Sequence, residues 1–271
     1  MKKLCATITA ALLLTGCAAP EFEQREGLSV IVGDTGKSDF ILIQAEGCTV
    51  VNDAAYYDSF PQVNALLQQE GVTHIDAMIL SHYDKDHIGG AADILRNYDV
   101  SRVIMPDYFS GSEYWLDMIT VLEESGTEQL VISEDMEFSL GQVSFRISAP
   151  QKSEYSDEND YSLITEVSFG KTRFLLTGDA LDERLGEFCG GLSGGEHYDV
   201  IKMPHHGDYF GALGELTETT SPEYAVITSA ENKETVQRKT LRALEQADCR
   251  VMFTCEGTVR FFSDGETVSP E

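Results

Sequence analysis

Ser81-His82-Tyr83-Asp84-Lys85-Asp86-His87-Ile88-Gly89-Gly90 is the most informative segment of this chain. Six residues hold two histidines and two carboxylates in the order His-x-Asp-x-Asp-His. Ahead of them, residues 75–80 form an apolar run that reads as a buried strand. Behind them, the glycine pair leads into residues 91–97, whose pattern reads as a helix. A tight strand-to-helix loop therefore carries four side chains able to hold a metal. Imidazole nitrogen and carboxylate oxygen together suit a borderline metal such as zinc. Solvated loop charges would explain one histidine and one aspartate, but not this spacing in this setting.

Four further segments carry the argument outward. They are Asp34-Thr35-Gly36-Lys37-Ser38-Asp39, Asn159-Asp160-Tyr161-Ser162-Leu163, Leu176-Thr177-Gly178-Asp179-Ala180 and Pro204-His205-His206-Gly207. With the loop, they resemble in family order the motifs of the metallo-β-lactamase superfamily, whose signature is usually His-x-His-x-Asp-His. Asp84 in place of the second histidine, followed by Gly-Gly, is similar to the branch containing the extracellular nuclease-like domain of ComEC competence proteins. The resemblance covers about residues 27–265. Periodicity alone yields an α+β fold. The resemblance implies the αββα metallo-β-lactamase sandwich, two mixed sheets flanked by helices, with the active site at one edge of the sheets.

The resemblance also implies roles. His82 and Asp84 would hold one metal, Asp86 and His87 the other, and Asp179 would bridge the two. One histidine of the His205-His206 pair would complete the second site. His205, directly after a strand and Pro204, is favoured as that ligand, leaving His206 to orient a ligand or contact substrate. Asp86, His87, Asp179 and His206 are thus the expected catalytic set. Asp53 matches the aspartate that braces the metal loop, the kind of outer carboxylate that fixes a liganding histidine. One departure stands out. The superfamily has a further histidine before the Thr-Gly-Asp strand, and this chain has none between His87 and His197. Ser148-Ala149-Pro150 falls at about that place, so the first site is weak, open to water, or filled by Asn159 or Asp160. The centre therefore holds one or two divalent metals, zinc first, with manganese or iron admitted by the carboxylate-rich donor set. The implied nucleophile is a metal-bound hydroxide, acting on a carbonyl or phosphoryl group.

Composition narrows the partners. The 271 residues include 46 acidic against 19 basic ones, a net charge of −27. Nucleic acid and anionic membranes are polyanions, so this balance argues against non-specific binding to either. Residues 1–16 read as a signal peptide cut just before Cys17, in Leu14-Thr15-Gly16-Cys17, which resembles a lipoprotein cleavage box. Residues 17–26 read as a lipid-anchored linker and 27–271 as the hydrolase domain. The expected location is the extracytoplasmic face of a bacterial membrane, held by lipid at Cys17. Cys48, Cys189, Cys249 and Cys255 form no Cys-x-x-Cys pair and read as small buried hydrophobes. Cys249 and Cys255, placed on one strand, would stand about 20 Å apart, beyond disulfide reach.

Strands are expected at 28–32, 39–43, 49–52, 101–105, 163–169, 173–176, 198–203 and 224–228, with three more in 129–149. Residues 59–71, 116–125 and 233–247 carry helical spacing. Residues 151–160 read as a polar mobile loop, and 250–254 with 258–262 as a closing hairpin. The aromatic segment 106–115 either packs beneath a loop or walls the site. The functional expectation is an extracytoplasmic metal-dependent hydrolase acting on a phosphoester or another small molecule. The alternative is a non-catalytic lipoprotein of the same fold that binds a ligand or partner.

Overall fold

The computed structural model describes residues 26–229 and 236–271. The leader, the Cys17 box and all but the last residue of the expected linker lie outside the described residues, as do residues 230–235, among them the first three of the expected helix 233–247. The first half runs β1 (Leu28–Val32), β2 (Ile41–Ala45), β3 (Cys48–Asn52), α1 (Phe60–Gln69), β4 (His74–Ile75), β5 (Ala77–Ile79), α2 (Lys85–Ile88), α3 (Ala91–Asn97), β6 (Asp99–Val100), β7 (Arg102–Pro106), α4 (Glu113–Ser125) and β8 (Glu128–Ile132). The second half runs β9 (Met136–Leu140), β10 (Val143–Ser148), β11 (Ile164–Phe169), β12 (Thr172–Leu176), α5 (Asp182–Gly191), β13 (Val200–Lys202), α6 (Leu213–Thr220), β14 (Tyr224–Ile227), α7 (Arg238–Gln246) and β15 (Arg250–Phe253). Strands β16 (Val259–Ser263) and β17 (Val268–Pro270) then return to the first sheet.

Besides a two-stranded pair, β4-β6, two large sheets result, ordered β17-β16-β1-β2-β3-β5-β7-β8 and β15-β14-β13-β12-β11-β10-β9. Each is half antiparallel and half parallel: β3, β5, β7 and β8 run parallel in the first, β12 to β15 in the second. The two-residue period of a strand sorts side chains between layers. On β1, Leu28, Val30 and Val32 enter the layer between the sheets, whereas Ile31 enters the layer under the first-half helices. The inter-sheet layer also takes Ile41, Ile43, Val50, Phe145, Val167 and Phe174. A third layer joins Leu175, Ile201 and Ile227 to Leu185 and Phe188 of α5 and Leu216 of α6. Three apolar layers between four structural ones make the αββα sandwich. Parallel strands covered on both faces are apolar throughout, as the fully buried β5 and β14 are.

This layout puts the functional loops at one edge. Asp53 follows β3, His82 follows β5, Tyr108 follows β7, Asp179 follows β12, His206 follows β13 and Thr228 follows β14. All leave the carboxyl ends of strands in the parallel halves, where α/β sheets bind ligands.

Several expectations are corrected. The run 75–80 is two strands, split at Asp76, whose backbone N–H donates to Thr49 O and whose Oδ2 accepts from Thr49 N. Residues 250–262 are no hairpin. Strand β15 lies parallel to β14 in the second sheet, and β16 lies antiparallel to β1 in the first. Between them, a short 3-10 turn at Thr254–Glu256 and Gly257 (φ 128°) carry the chain across the sandwich. Cys255 is therefore off the strand, and all four described cysteines are free thiols. Helix α4 starts three residues early, because Ser112 caps it by accepting from Trp115 N at 3.2 Å. Helices α5 and α6 were not expected. Gly186, Gly190 and Gly191 mask the first, and threonines the second. The polar segment 151–160 is not all loop: it ends in a 3-10 turn, Glu158–Tyr161, with Asp160 buried.

Candidate metal centre

The site begins with Asp53, a fully buried carboxylate at left-handed φ (58°) just past β3. Its Oδ1 accepts from Ser81 N at 2.7 Å, and its Oδ2 from Ser81 Oγ at 2.9 Å and His87 Nδ1 at 2.9 Å. An ionised carboxylate can only accept, so Nδ1 of His87 carries the proton and Nε2 is turned to the site. Ser81 Oγ, having donated to Asp53, accepts from His82 Nδ1 at 3.0 Å. His82 therefore also presents Nε2. The third histidine repeats the device: Thr228 Oγ1 donates to Asp39 Oδ1 at 2.6 Å and accepts from His206 Nδ1 at 2.9 Å. Outer-partner bonds of this kind orient metal-liganding imidazoles.

The free nitrogens face carboxylates. His87 Nε2 lies 3.2 Å from Asp179 Oδ1, and His206 Nε2 lies 3.2 Å from both Asp179 Oδ2 and Asp86 Oδ2. Donor atoms about 2.0–2.1 Å from a tetrahedral zinc stand roughly 3.3 Å apart, so these spacings suit a shared ion. Nε2 of His82 and of His87 are buried and have no hydrogen-bond partner, a costly state for polar atoms unless a metal takes the lone pair. Asp86, His87, Asp179 and His206 offer donor atoms all within 4.8 Å of one another. His82 and Asp84 form a looser arm, with Nε2 to Oδ2 at 3.8 Å and the Asp84 side chain 43% exposed.

Electrostatics follow from this crowding. Burial works against charge on Asp179, but His206, His87 and Lys202 hold it well below the usual carboxylate range. Burial likewise opposes charge on Asp86, yet the His206 hydrogen bond and the His87 charge lower it to about 2. His87 is raised well above the ordinary value by Asp179, Asp53 and Asp39 in spite of burial. His206 rises to about 9, again against burial, chiefly through Asp179.

The histidine pair is disposed opposite to the expectation. His206 enters the cluster, while His205 turns toward the mouth, its Nδ1 3.7 Å from Asp208 Oδ2. The cause is the backbone: His205 (φ 47°), His206 (φ 54°) and Gly207 (φ 83°) are all left-handed. Such residues cost about 1–3 kcal/mol each when they are not glycine and gather at functional sites. The turn redirects consecutive side chains, so nearness to Pro204 does not identify the inward one. Gly178 shows the same tightness. It sits at φ 53°, and a Cβ there would lie 2.6 Å from Ser81 Cβ, so glycine lets the Asp179 turn close on the histidine loop.

The segment Ser148-Ala149-Pro150, where the missing histidine was expected, is tied to a buried arginine. Arg184, fully buried on α5, donates from Nη2 to Ser148 O at 2.6 Å and from Nε to Ser162 O at 2.9 Å. Asp160 Oδ1 accepts from Leu181 N and Arg184 N, so that oxygen serves the start of α5. Asn159 Oδ1 is buried without a partner. The aromatic segment joins two loops that border the site: Tyr108 stacks on Tyr83 at 4.4 Å and on Tyr161 at 4.2 Å, and its hydroxyl accepts from Tyr83 N. Phe109 beyond it is 74% exposed. His74 and His197 lie away from the cluster, paired with Asp99 and Ser221 O.

Sequence reading missed Lys202. It is fully buried at the end of β13, and its ammonium meets Asp39 Oδ2, Asp179 Oδ1 at 3.3 Å and Gly178 O at 3.0 Å. Burial opposes its charge, but Asp39 and Asp179 raise its pKa above the ordinary lysine value. The available signal was a lysine inside the apolar run Val200-Ile201-Lys202-Met203, directly before the histidine pair.

A profile of the Metallo-beta-lactamase superfamily matches residues 33–230, and the chain belongs to that superfamily. Among curated proteins it is similar to ComE operon protein 3 of Bacillus subtilis (strain 168), 23% identical over 95% of this chain and 35% of the relative. It is also similar to competence protein ComA of Neisseria gonorrhoeae, 28% identical over 81% of this chain and 30% of the relative. The chain thus spans about a third of the length of these relatives. Among solved structures it shares its fold with the metallo-β-lactamase fold protein YhfI of Bacillus subtilis (TM-score 0.57, 12% identity, 90% of this chain and 100% of that one). Zinc-bound PqqB of Methylobacterium extorquens is a second fold neighbour (TM-score 0.54, 12% identity, 83% and 97%). No helix among the described residues is long and apolar enough to cross a membrane.

Proposed function

We propose that this chain is an extracytoplasmic, lipid-anchored, metal-dependent hydrolase that acts on a phosphoester. The observation that carries the hydrolase reading is the convergence of His82, His87 and His206, each held at Nδ1 by an outer partner, with Nε2 left for the interior of a carboxylate-lined site. Asp86, His87, Asp179 and His206 would hold one divalent metal, and His82 with Asp84 the start of a second set. When bound, such a metal lowers the pKa of its water from 15.7 to roughly 7 and polarises the substrate oxygen. The chain's own residues do the rest. Asp53 fixes the His87 tautomer, and Asp39 acting through Thr228 fixes that of His206. His205, at the mouth, is placed to meet substrate rather than metal.

Likeness to the ComEC-type relatives supports a phosphoester as substrate. The net charge of −27 favours a small one over a long nucleic acid, because repulsion of a polyanion grows with its length. Zinc is proposed as the metal, with manganese second. The Cys17 box supports anchoring by lipid, with 27–271 as the hydrolase domain. One observation favours the non-catalytic alternative: the segment expected to supply a third ligand to the His82–Asp84 arm offers no histidine, and its Ser148 is held by Arg184. Hydrolysis assays decide between the two. Metal-stripped and zinc- or manganese-reloaded protein would be offered bis-p-nitrophenyl phosphate, p-nitrophenyl phosphate and a chromogenic cephalosporin. Metal-dependent turnover of the diester is expected. Bound metal with no turnover of any of the three would favour the binding protein, and preferential turnover of the cephalosporin would overturn the phosphoester assignment.

A further inference from the structure

The Lys202 ammonium contributes neither a metal ligand nor a part of the apolar core, yet it sits against the centre. Its three protons have three acceptors: an Asp39 carboxylate oxygen, Asp179 Oδ1 and Gly178 O. Two of these acceptors belong to consecutive residues of the Thr-Gly-Asp turn, and the third comes from the first half of the chain. Lys202 therefore ties Asp179 to Asp39, which in turn holds His206 through Thr228. Around the same centre stand five carboxylates, those of Asp39, Asp53, Asp84, Asp86 and Asp179. Carboxylates this crowded and this buried repel one another unless cations lie among them.

We propose that Lys202 is a built-in cation of the metal centre, a positioning residue that keeps the Asp39–Asp179 pair assembled without metal and weakens the hold of the centre on its metals. The proposal rests on the reading of this site as a metal centre. Its sign follows from electrostatics. The ammonium is attracted to the bare carboxylates more than to the same carboxylates neutralised by divalent ions. A charge that stabilises the metal-free state more than the loaded one opposes loading, and the coupling is reciprocal. The ammonium also draws on the Asp179 oxygen facing His87, making that carboxylate a poorer donor to any metal it serves. A purely structural lysine would act differently. Its loss would loosen Asp179 and weaken metal binding, as loss of outer partners usually does, by about 10–100-fold.

Lys202→Gln tests this, because glutamine keeps hydrogen-bonding groups and removes the charge; Lys202→Met serves as the second variant. Zinc affinity would be measured by competition with a chromophoric chelator, and thermal unfolding with and without zinc, on the full chain. For Lys202→Gln the expected result is zinc binding tighter by about tenfold or more. It should come with a fall in melting temperature of the metal-free protein that zinc largely restores. Equal or weaker zinc binding by Lys202→Gln, beside a wild type that binds zinc, would overturn the proposal and leave the metal centre standing. A wild type that binds no zinc or manganese would instead overturn the centre itself. Should a variant fold only with zinc present, the proposal is upheld; should zinc fail to rescue both variants, it is overturned.

Discussion

The two arms of the centre differ in how many chain segments build them. Asp86, His87, Asp179 and His206 come from the ends of β5, β12 and β13, and their donor atoms are already within 4.8 Å of one another. Asp53, Thr228, Asp39 and Lys202 brace them from four further positions. The His82–Asp84 arm comes from one loop, its donors are 3.8 Å apart, and Asp84 is 43% exposed. The segment expected to bring a third ligand to that arm has no histidine, and Arg184 holds Ser148 and Ser162 there. Preorganisation thus scales with convergence: the arm reached by several strand ends is assembled and largely buried, and the arm drawn from one loop ends in the partly exposed Asp84. The four-donor arm should therefore fill first and hold metal more tightly.

The largest effect should come from Asp179→Asn. Its two oxygens face His87 and His206, so the loss of one charge reaches both histidines of the closed arm. Bound metal should fall to near zero by elemental analysis, and unchanged stoichiometry would break the comparison at its centre. Next comes the histidine pair. His206→Ala should lower metal affinity by about 100-fold or more, since it deletes a ligand and not merely an outer partner. His205→Ala should keep the metal content and alter turnover alone. Equal metal loss in both variants would contradict the orientation set by the left-handed turn.

A smaller effect concerns pH. In the metal-free fold His206 titrates at about 9, above its ordinary 6.5, because Asp179 and Asp86 outweigh burial. A raised histidine pKa stabilises the fold fully below pH 6.5, and that contribution is lost as pH rises through about 9. The metal-free protein should therefore lose melting temperature across this window. Metal competes with the same proton, so apparent manganese affinity should climb over the same range. A pH-independent affinity there would show that His206 is not displaced from its proton by the metal.

Much of this was legible in the chain itself. The loop 82–87 announced its chemistry because four donors fall within six residues, and Asp53 and Asp179 followed from the resemblance of their segments to the superfamily's motifs. What escaped depended on long-range geometry. Which of His205 and His206 points inward is decided by three left-handed residues, a torsional fact with no signature in residue type beyond Gly207. Residues 250–262 looked like a hairpin because two strands flank a Glu-Gly pair, but sheet membership is settled by β14 and β1, which are distant in sequence. Lys202 hid inside a strand pattern that tolerates one polar residue, and Arg184 inside a helix masked by glycines. Both are buried charges whose partners lie on other elements, so only the assembled fold shows why they are there.

Stepwise metal titration of the metal-free wild type beside Asp84→Asn separates the two arms. Calorimetry with zinc or manganese would read stoichiometry and affinity together. The two-arm account predicts a tight first equivalent and a weaker second one in the wild type. In Asp84→Asn it predicts that the second equivalent disappears while the first keeps its affinity. Two equivalents of equal affinity, or loss of the tight one on changing Asp84, would contradict it.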